Sequence, residues 1–206
     1  PDDMLGNVGL GHTRWATHGA VTDTNAHPHV DGDGSVAVVH NGIIENFSSL
    51  KERLEEEGRV FISETDSEVV AHLIASLYEG DLEQAVKRAT ALIKGTYGIV
   101  AVHRNEPGRL VGARNGSPLV LGIGDGAMFL ASDVTAILAH TKQVIYLEDG
   151  EMVSITADSY RTTDYHDREI DKQVEHISWE IEEIEKEGFA HFMEKEILEQ
   201  PESVMR

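Results

Sequence analysis

The chain contains no cysteine. For the polypeptide as written, that excludes disulfides, thiolate metal sites and a cysteine nucleophile. Positive charge is scarce: 17 Lys and Arg stand against 37 Asp and Glu, a formal net charge of −20. Such a surface is a poor match for nucleic acid, whose phosphates demand clustered Lys and Arg. No run approaches the ~18 apolar residues of a membrane span, and nothing has the form of a signal peptide. Neither nucleic acid nor membrane is therefore an expected partner, and the expected location is cytoplasmic. Repeats and low-complexity stretches are also missing. The remainder is ordinary: 40% hydrophobic and 26% charged residues over 206 positions, enough for one generous domain with a proper core.

Periodicity supplies the element order. Val36–Val39 is a short β-branched run that reads as a buried strand, leading into a turn at His40-Asn41-Gly42. Phe47, Leu50 and Leu54 follow at helical spacing until Gly58, which predicts a helix from about Asn46 to Glu57. Thr65-Asp66-Ser67-Glu68 has the form of a capping box ahead of an apolar face made by Val69, Val70, Leu73, Ile74 and Leu77. A third helix is predicted from Asp81, presenting Leu82, Val86, Ala89 and Leu92 before Gly95. Short strand-like runs come next, at Tyr97–His103, Arg109–Arg114, Pro118–Ile123, Ala127–Ala131, Val144–Leu147 and Glu151–Ile155. One helical piece, Val134–His140, interrupts them. The tail from Glu180 to Gln200 returns to helix and stops before Pro201. Its acidic run Trp179–Glu187 reads as a solvated helix face, or as a connector that meets a more basic neighbour. Strands flanking a block of helices predict an α+β fold with layered sheets.

Chemistry-bearing side chains crowd one region. Five of the 11 histidines lie between positions 12 and 40, in His12-Thr13-Arg14-Trp15-Ala16-Thr17-His18-Gly19, Asn25-Ala26-His27-Pro28-His29 and His40-Asn41-Gly42. Arg14 offers a planar fork for a carboxylate, with Trp15 beside it as a flat lid. Asn41-Gly42 could present a side-chain amide and a backbone N–H to one oxyanion. Asp66, just inside a helix start, could pair with an ammonium group. Taken singly, each has a plainer reading. Arg14 could form a surface ion pair, Trp15 could pack at a rim, Asn41-Gly42 is a common hairpin turn, and Asp66 could serve only its helix N-terminus. His27 and His29 could be core or capping histidines, or a His-x-His metal pair.

Taken together, these stretches resemble a known family. His12–Gly19, Asn25–His29, the run Val38–Asn46 and Glu64–Val69 closely resemble the glutaminase domain of the isomerising glutamine–fructose-6-phosphate aminotransferases (glucosamine-6-phosphate synthases). The match is dense from about Gly9 to Leu73. It recurs in Ala113–Val120, Ala131-Ser132-Asp133 and Phe192–Pro201, the last resembling the junction into a sugar-isomerase domain. The resemblance implies an N-terminal-nucleophile (Ntn) hydrolase with an αββα four-layer sandwich. In that family an N-terminal Cys attacks the side-chain amide of glutamine with its own α-amino group as base, a thioester forms, ammonia leaves and water releases glutamate. Carried over, Arg14 would clamp the substrate α-carboxylate and Asp66 its α-ammonium. Asn41 and Gly42 would form the oxyanion hole, and Trp15, Thr17 and His18 would belong to a loop closing over glutamine. No cofactor and no metal is implied. The ammonia would pass to fructose-6-phosphate at an absent C-terminal domain, in an enzyme expected to be a homodimer.

The family opens with a Cys-Gly-Ile-Val-Gly-like strand, whereas this sequence opens Pro1-Asp2-Asp3-Met4. The expectation is a fold lacking its first strand and nucleophile segment, and a chain that alone has no glutaminase turnover. Residues 1–178 are expected to form the glutaminase domain. Residues 179–206 would add a C-terminal helix and the start of a linker. The alternatives are a non-catalytic glutamine-binding fragment and a metal-dependent hydrolase using His27 and His29.

Overall fold

The computed structural model describes residues 6–178 and, beyond them, positions 191, 193, 194, 197, 198 and 200. Two antiparallel sheets carry the fold. The first has six strands in the order β1 (His29–Val30), β2 (Val36–Ile44), β3 (Gly95–His103), β4 (Leu110–Asn115), β8 (Glu151–Ile155) and β9 (Tyr160–Asp164). The second places β10 (Glu175–His176), β7 (Gln143–Tyr146), β5 (Val120–Ile123) and β6 (Met128–Ala131) side by side. Between β2 and β3 the chain inserts three helices: α1 (Phe47–Glu56), α2 (Asp66–Leu77) and α3 (Leu82–Thr90).

Alternation along the strands sorts side chains into layers. Val36 and Val38 of β2, Ile99 and Ala101 of β3, and Met152 of β8 face the helices, where Leu50, Leu54, Leu73, Ile74, Leu82 and Val86 complete a core. Val100 and Val153, on the opposite faces of their strands, meet Leu121 and Ile145 of the second sheet and the flanking Leu119 and Leu147. The far face of that sheet is covered by Val134, Ile137 and Leu138. β8 is buried along its whole length because it lies between both layers. The α+β expectation is met. Among the described residues the outermost layer is a single 3₁₀ turn, Val134–Ala136, rather than the longer helix expected over Val134–His140. Asp133 caps that turn by accepting from Thr135 N, and the chain leaves it through successive turns at Ile137 and His140.

Local chemistry explains most boundaries. Asp81 caps α3 by accepting from the N–H groups of Glu83 and Gln84. Thr65 caps α2 by accepting from Glu68 N at 3.3 Å. The capping box is only half formed, because the Glu68 carboxylate accepts instead from Ile62 N, Ser63 N and the Ser63 hydroxyl. Two expectations need correction. Leu92 lies beyond the end of α3 and is exposed, while Ile93 takes the buried place. His40-Asn41-Gly42 is not a turn: β2 runs through it and stays paired with β3 as far as Ile44 opposite Gly95. Positive φ at Gly42 (+128°) and Gly95 (+118°) lets the two backbones close on each other there. The polar strand β9 and the two-residue strands β1 and β10 carry too little hydrophobic alternation to be read from sequence. The helix expected over Glu180–Gln200 lies mostly outside the described residues, as does the acidic run Trp179–Glu187. Its described positions Met193, Glu194, Ile197, Leu198 and Gln200 are helical.

Candidate active site

Residues 6–28 contain no regular secondary structure, yet they form one wall of a cleft of about 300 Å³. The opposite wall comes from the end of β2 and the start of α2. Every site residue expected from sequence lines this cleft: Arg14, Trp15, Thr17, His18, Asn41, Gly42 and Asp66. Sequence reasoning passed over His12, His40, Thr65 and Ser67, which line it as well. His12 and His40 stood in motifs already singled out. Their contribution depends on contacts that only the fold creates.

Arg14 has a left-handed backbone, φ +48°. Its guanidinium donates to the carbonyls of His18 (2.8 Å), Ala20 (2.9 Å) and Gly19 (3.3 Å), closing residues 14–20 into a loop. Asn25 and Glu64 hold the same loop from behind. Asn25 Nδ2 donates to Ala20 O at 3.0 Å and its Oδ1 accepts from Glu64 N at 2.9 Å, while Glu64 Oε2 accepts from Ala20 N at 3.2 Å. A Cβ at Gly19, where φ is +76°, would lie 2.8 Å from Asn25 Nδ2. Trp15 is 91% exposed at the cleft rim. His18 is half-buried, edge-on to Phe47.

Asp66, 3% exposed, is the first residue of α2, where the helix end favours negative charge. Its Oδ2 accepts from Ile44 N at 2.8 Å. His12 bridges the two walls. Its Nδ1 accepts from Arg14 N at 2.8 Å, and its Nε2 lies 2.7 Å from Asn41 Oδ1. A backbone N–H can only donate, so Nδ1 is the bare nitrogen and Nε2 carries the proton. Asn41 Oδ1 therefore accepts from His12, and the Asn41 NH₂ is left for other acceptors. Gly42 admits no other residue: a Cβ there would lie 2.1 Å from Thr96 O.

Behind these groups the histidines pack together. His27 sits 4.2 Å from the His12 ring and 4.8 Å from the His29 ring, centroid to centroid. Burial first, then the neighbouring His12, His29 and His40 and the Arg14 cation, push the His27 imidazolium down to about 3. Burial likewise lowers His29 and His40. His29 Nε2 is engaged with Thr65 Oγ1 at 3.0 Å, and His40 Nδ1 with Ser67 Oγ at 2.8 Å. Among the described residues no group of three or more His, Cys, Asp or Glu could hold a metal ion. Among the described residues the His-x-His pair therefore belongs to no such group. A second opening, about 440 Å³, continues from Asn41 between the sheets past Val39, Val100, Leu119 and Leu130.

A layered α+β sandwich with an Asn-Gly step and an opposed Arg–Asp pair at one cleft defines a class, the Ntn-type glutamine amidotransferases. The model of the glutamine amidotransferase domain matches residues 12–139, and the chain belongs to that family. Solved structures agree. It superimposes on the glutamine phosphoribosylpyrophosphate amidotransferase of B. subtilis with a TM-score of 0.62 at 28% identity, over 75% of this chain and 34% of that one. A class-II glutamine aminotransferase domain protein of Silicibacter pomeroyi, 22% identical at a TM-score of 0.53 over 69% of this chain and 72% of that one, shares the fold. Among curated proteins, the isomerizing glutamine–fructose-6-phosphate aminotransferase of Methanothermobacter thermautotrophicus is 54% identical over 204 residues, 98% of this chain and 34% of that protein. The Chlorobaculum tepidum enzyme of the same name is 53% identical over 208 residues, again 98% of this chain and 34% of that protein. The chain therefore spans about a third of the length of the curated relatives it matches. Among the described residues no helix is long and apolar enough to cross a membrane.

Proposed function

We propose that this cleft binds glutamine and is the ammonia-releasing site of an isomerising glutamine–fructose-6-phosphate aminotransferase. One observation carries the reading. A cation, Arg14, and a buried anion, Asp66, line the same 300 Å³ cleft as the amide of Asn41. An α-amino acid head group has one charge of each sign, and the distal amide of glutamine needs a donor for the oxygen that gains charge when it is attacked. Arg14 serves the α-carboxylate through donors not committed to the loop carbonyls, and Asp66 serves the α-ammonium. Asn41 Nδ2 and the Gly42 N–H stabilise the oxyanion. Trp15, Thr17 and His18 close over the bound amino acid.

The 206 residues contain no cysteine, so the thiol that this chemistry uses in related enzymes is not among them. Binding is testable on the chain itself, and turnover on the full-length protein. Residues 1–178 constitute the glutaminase unit. Residues 179–206 lead towards a domain that accepts the ammonia on fructose-6-phosphate, in a cytoplasmic homodimer. Identity above 50% to enzymes of that name supports the choice of acceptor.

The test is hydrolysis of L-glutamine by the full-length protein. Asn41→Ala should lower kcat by about 10²–10³, the usual consequence of removing one oxyanion donor, with little change in KM. A kcat within about threefold of the parent would remove Asn41 from the mechanism.

A further inference from the structure

Resting on the reading of Asn41 as an oxyanion donor, we propose that His12 is a positioning residue. One imidazole fixes both the orientation of the Asn41 amide and the backbone from which Arg14 projects. One contact crosses the cleft to Asn41, 29 positions away, and the other holds Arg14 two positions along the same wall. The oxygen and nitrogen of an asparagine amide have nearly the same shape, so the pairing of strand β2 does not choose between them. His12 does choose. With Nδ1 occupied by the Arg14 N–H, only a proton on Nε2 is available to face Asn41, and a flipped amide would set donor against donor. Oδ1 is drawn to the ring and Nδ2 is turned away from it.

The second contact acts on the other wall. A non-glycine residue at φ +48° is held against its own preference. The Arg14 N–H···Nδ1 bond at 2.8 Å compensates that conformation directly. From this backbone the Arg14 side chain reaches the carbonyls of residues 18–20. Substrate grip and oxyanion stabilisation therefore share one ring, and that ring is braced by His27 at 4.2 Å.

The two nitrogens can be removed one at a time. Asparagine at position 12 places an acceptor near Nδ1 but falls short of Asn41. Glutamine places an N–H donor near Nε2 but no acceptor at Nδ1. In the full-length protein, His12→Asn should lower kcat for glutamine hydrolysis about tenfold and leave KM within about twofold. His12→Gln should raise KM about tenfold and leave kcat within about twofold. His12→Ala should do both. On an Asn41→Ala background, His12→Asn should cause no further loss of kcat.

A ring that only fills space would give a different pattern, with Asn and Gln variants sharing one kcat and KM profile in proportion to their loss of thermal stability. That pattern, or parental kcat in His12→Asn, overturns the proposal. The Asn41→Ala control separates the two levels. If Asn41→Ala keeps its kcat, the oxyanion reading falls and takes the His12 proposal with it. If Asn41→Ala loses kcat while His12→Asn does not, the role of His12 alone is wrong.

Discussion

The helix-bearing stretch from Val36 to His103 and the irregular stretch from residue 6 to 28 are ordered by different means. The first is held by burial: Leu54, Val69, Leu73, Ile74, Leu82 and Ile99 are at most 1% exposed and interlock on one face of the larger sheet. The second buries few apolar side chains, and Trp15 and Val21 stand 91% and 88% exposed. Its shape comes from polar bonds, with Arg14, Asn25 and Glu64 satisfying the backbone of residues 18–20 and His12 tying residue 14 to β2. The packed region supplies a rigid floor. The hydrogen-bonded loop brings Arg14, Trp15, Thr17 and His18 to the cleft above it. Damage to the two should differ in kind: core changes cost stability, and loop changes cost binding.

The sharpest challenge to that division is Gly42, which belongs to the packed region and also lines the cleft. Gly42→Ala places a Cβ 2.1 Å from Thr96 O at a φ of +128°, so loss of stability on the order of 3 kcal/mol or more should accompany loss of turnover. Thermal unfolding alongside a glutaminase assay checks both at once. A pure core change comes next. Leu73→Ala should cost about 2–5 kcal/mol in denaturant unfolding, while Ile62→Ser, at a side chain 72% exposed, should stay within about 0.5 kcal/mol. Neither should alter the affinity of the remaining folded protein for glutamine.

Acid should loosen the site wall in a graded way. His27 titrates at about 3 in the folded protein against an ordinary 6.5. Between those values the unfolded chain binds the extra proton and the folded one does not, so stability falls as pH drops from 6.5 towards 3, by at most ~1.4 kcal/mol per pH unit from this group. His29, His40 and His103 are lowered too and act in the same direction. Glu68 behaves oppositely to a simple buried acid. Burial raises it, but the His72 ring 3.6 Å away and the bonds from Ser63 and the Ile62 N–H prevail and hold it at about 2, against an ordinary 4.5. Its stabilisation is complete above pH 4.5 and is lost only as pH falls towards 2. Between pH 6.5 and 4.5 the slope therefore belongs to the histidines, and His27→Gln should flatten it. An unchanged slope in urea titrations across that window would contradict the assignment. A change in the loop itself should cost less stability than the core and glycine changes. Asn25→Ala removes the bonds to Ala20 and Glu64 and should cost about 1 kcal/mol in stability, yet raise the KM for glutamine severalfold. A parental KM would show that the loop needs no such latch.

The same division explains what the sequence could disclose. The three helices were legible because apolar period and cap residues agree, as in Asp81 ahead of Leu82, Val86 and Ala89. β8 and most of β3–β7 were legible from β-branched runs between turn signals. β9 was not, since Tyr160–Asp164 is mostly polar and earns its place only by pairing with β8. Asn41-Gly42 carries the dipeptide of a hairpin turn and yet lies within a paired strand, because the partner β3 supplies hydrogen bonds that local propensity cannot foresee. Arg14, Asp66 and Asn41 stood out by residue type and by resemblance. The role of His12 was hidden, since it depends on two contacts, one of them to a residue 29 positions away.

The central claim, that opposed charges at Arg14 and Asp66 recognise an amino-acid head group, is tested most directly by calorimetry. L-glutamine and glutaramate share the carboxylate and the distal amide, but glutaramate lacks the α-ammonium group. The parent chain should prefer glutamine, and Asp66→Asn should erase that preference, a change on the order of 30-fold or more for a buried charge pair. An Asp66→Asn chain that still discriminates between the two ligands as the parent does would contradict the site.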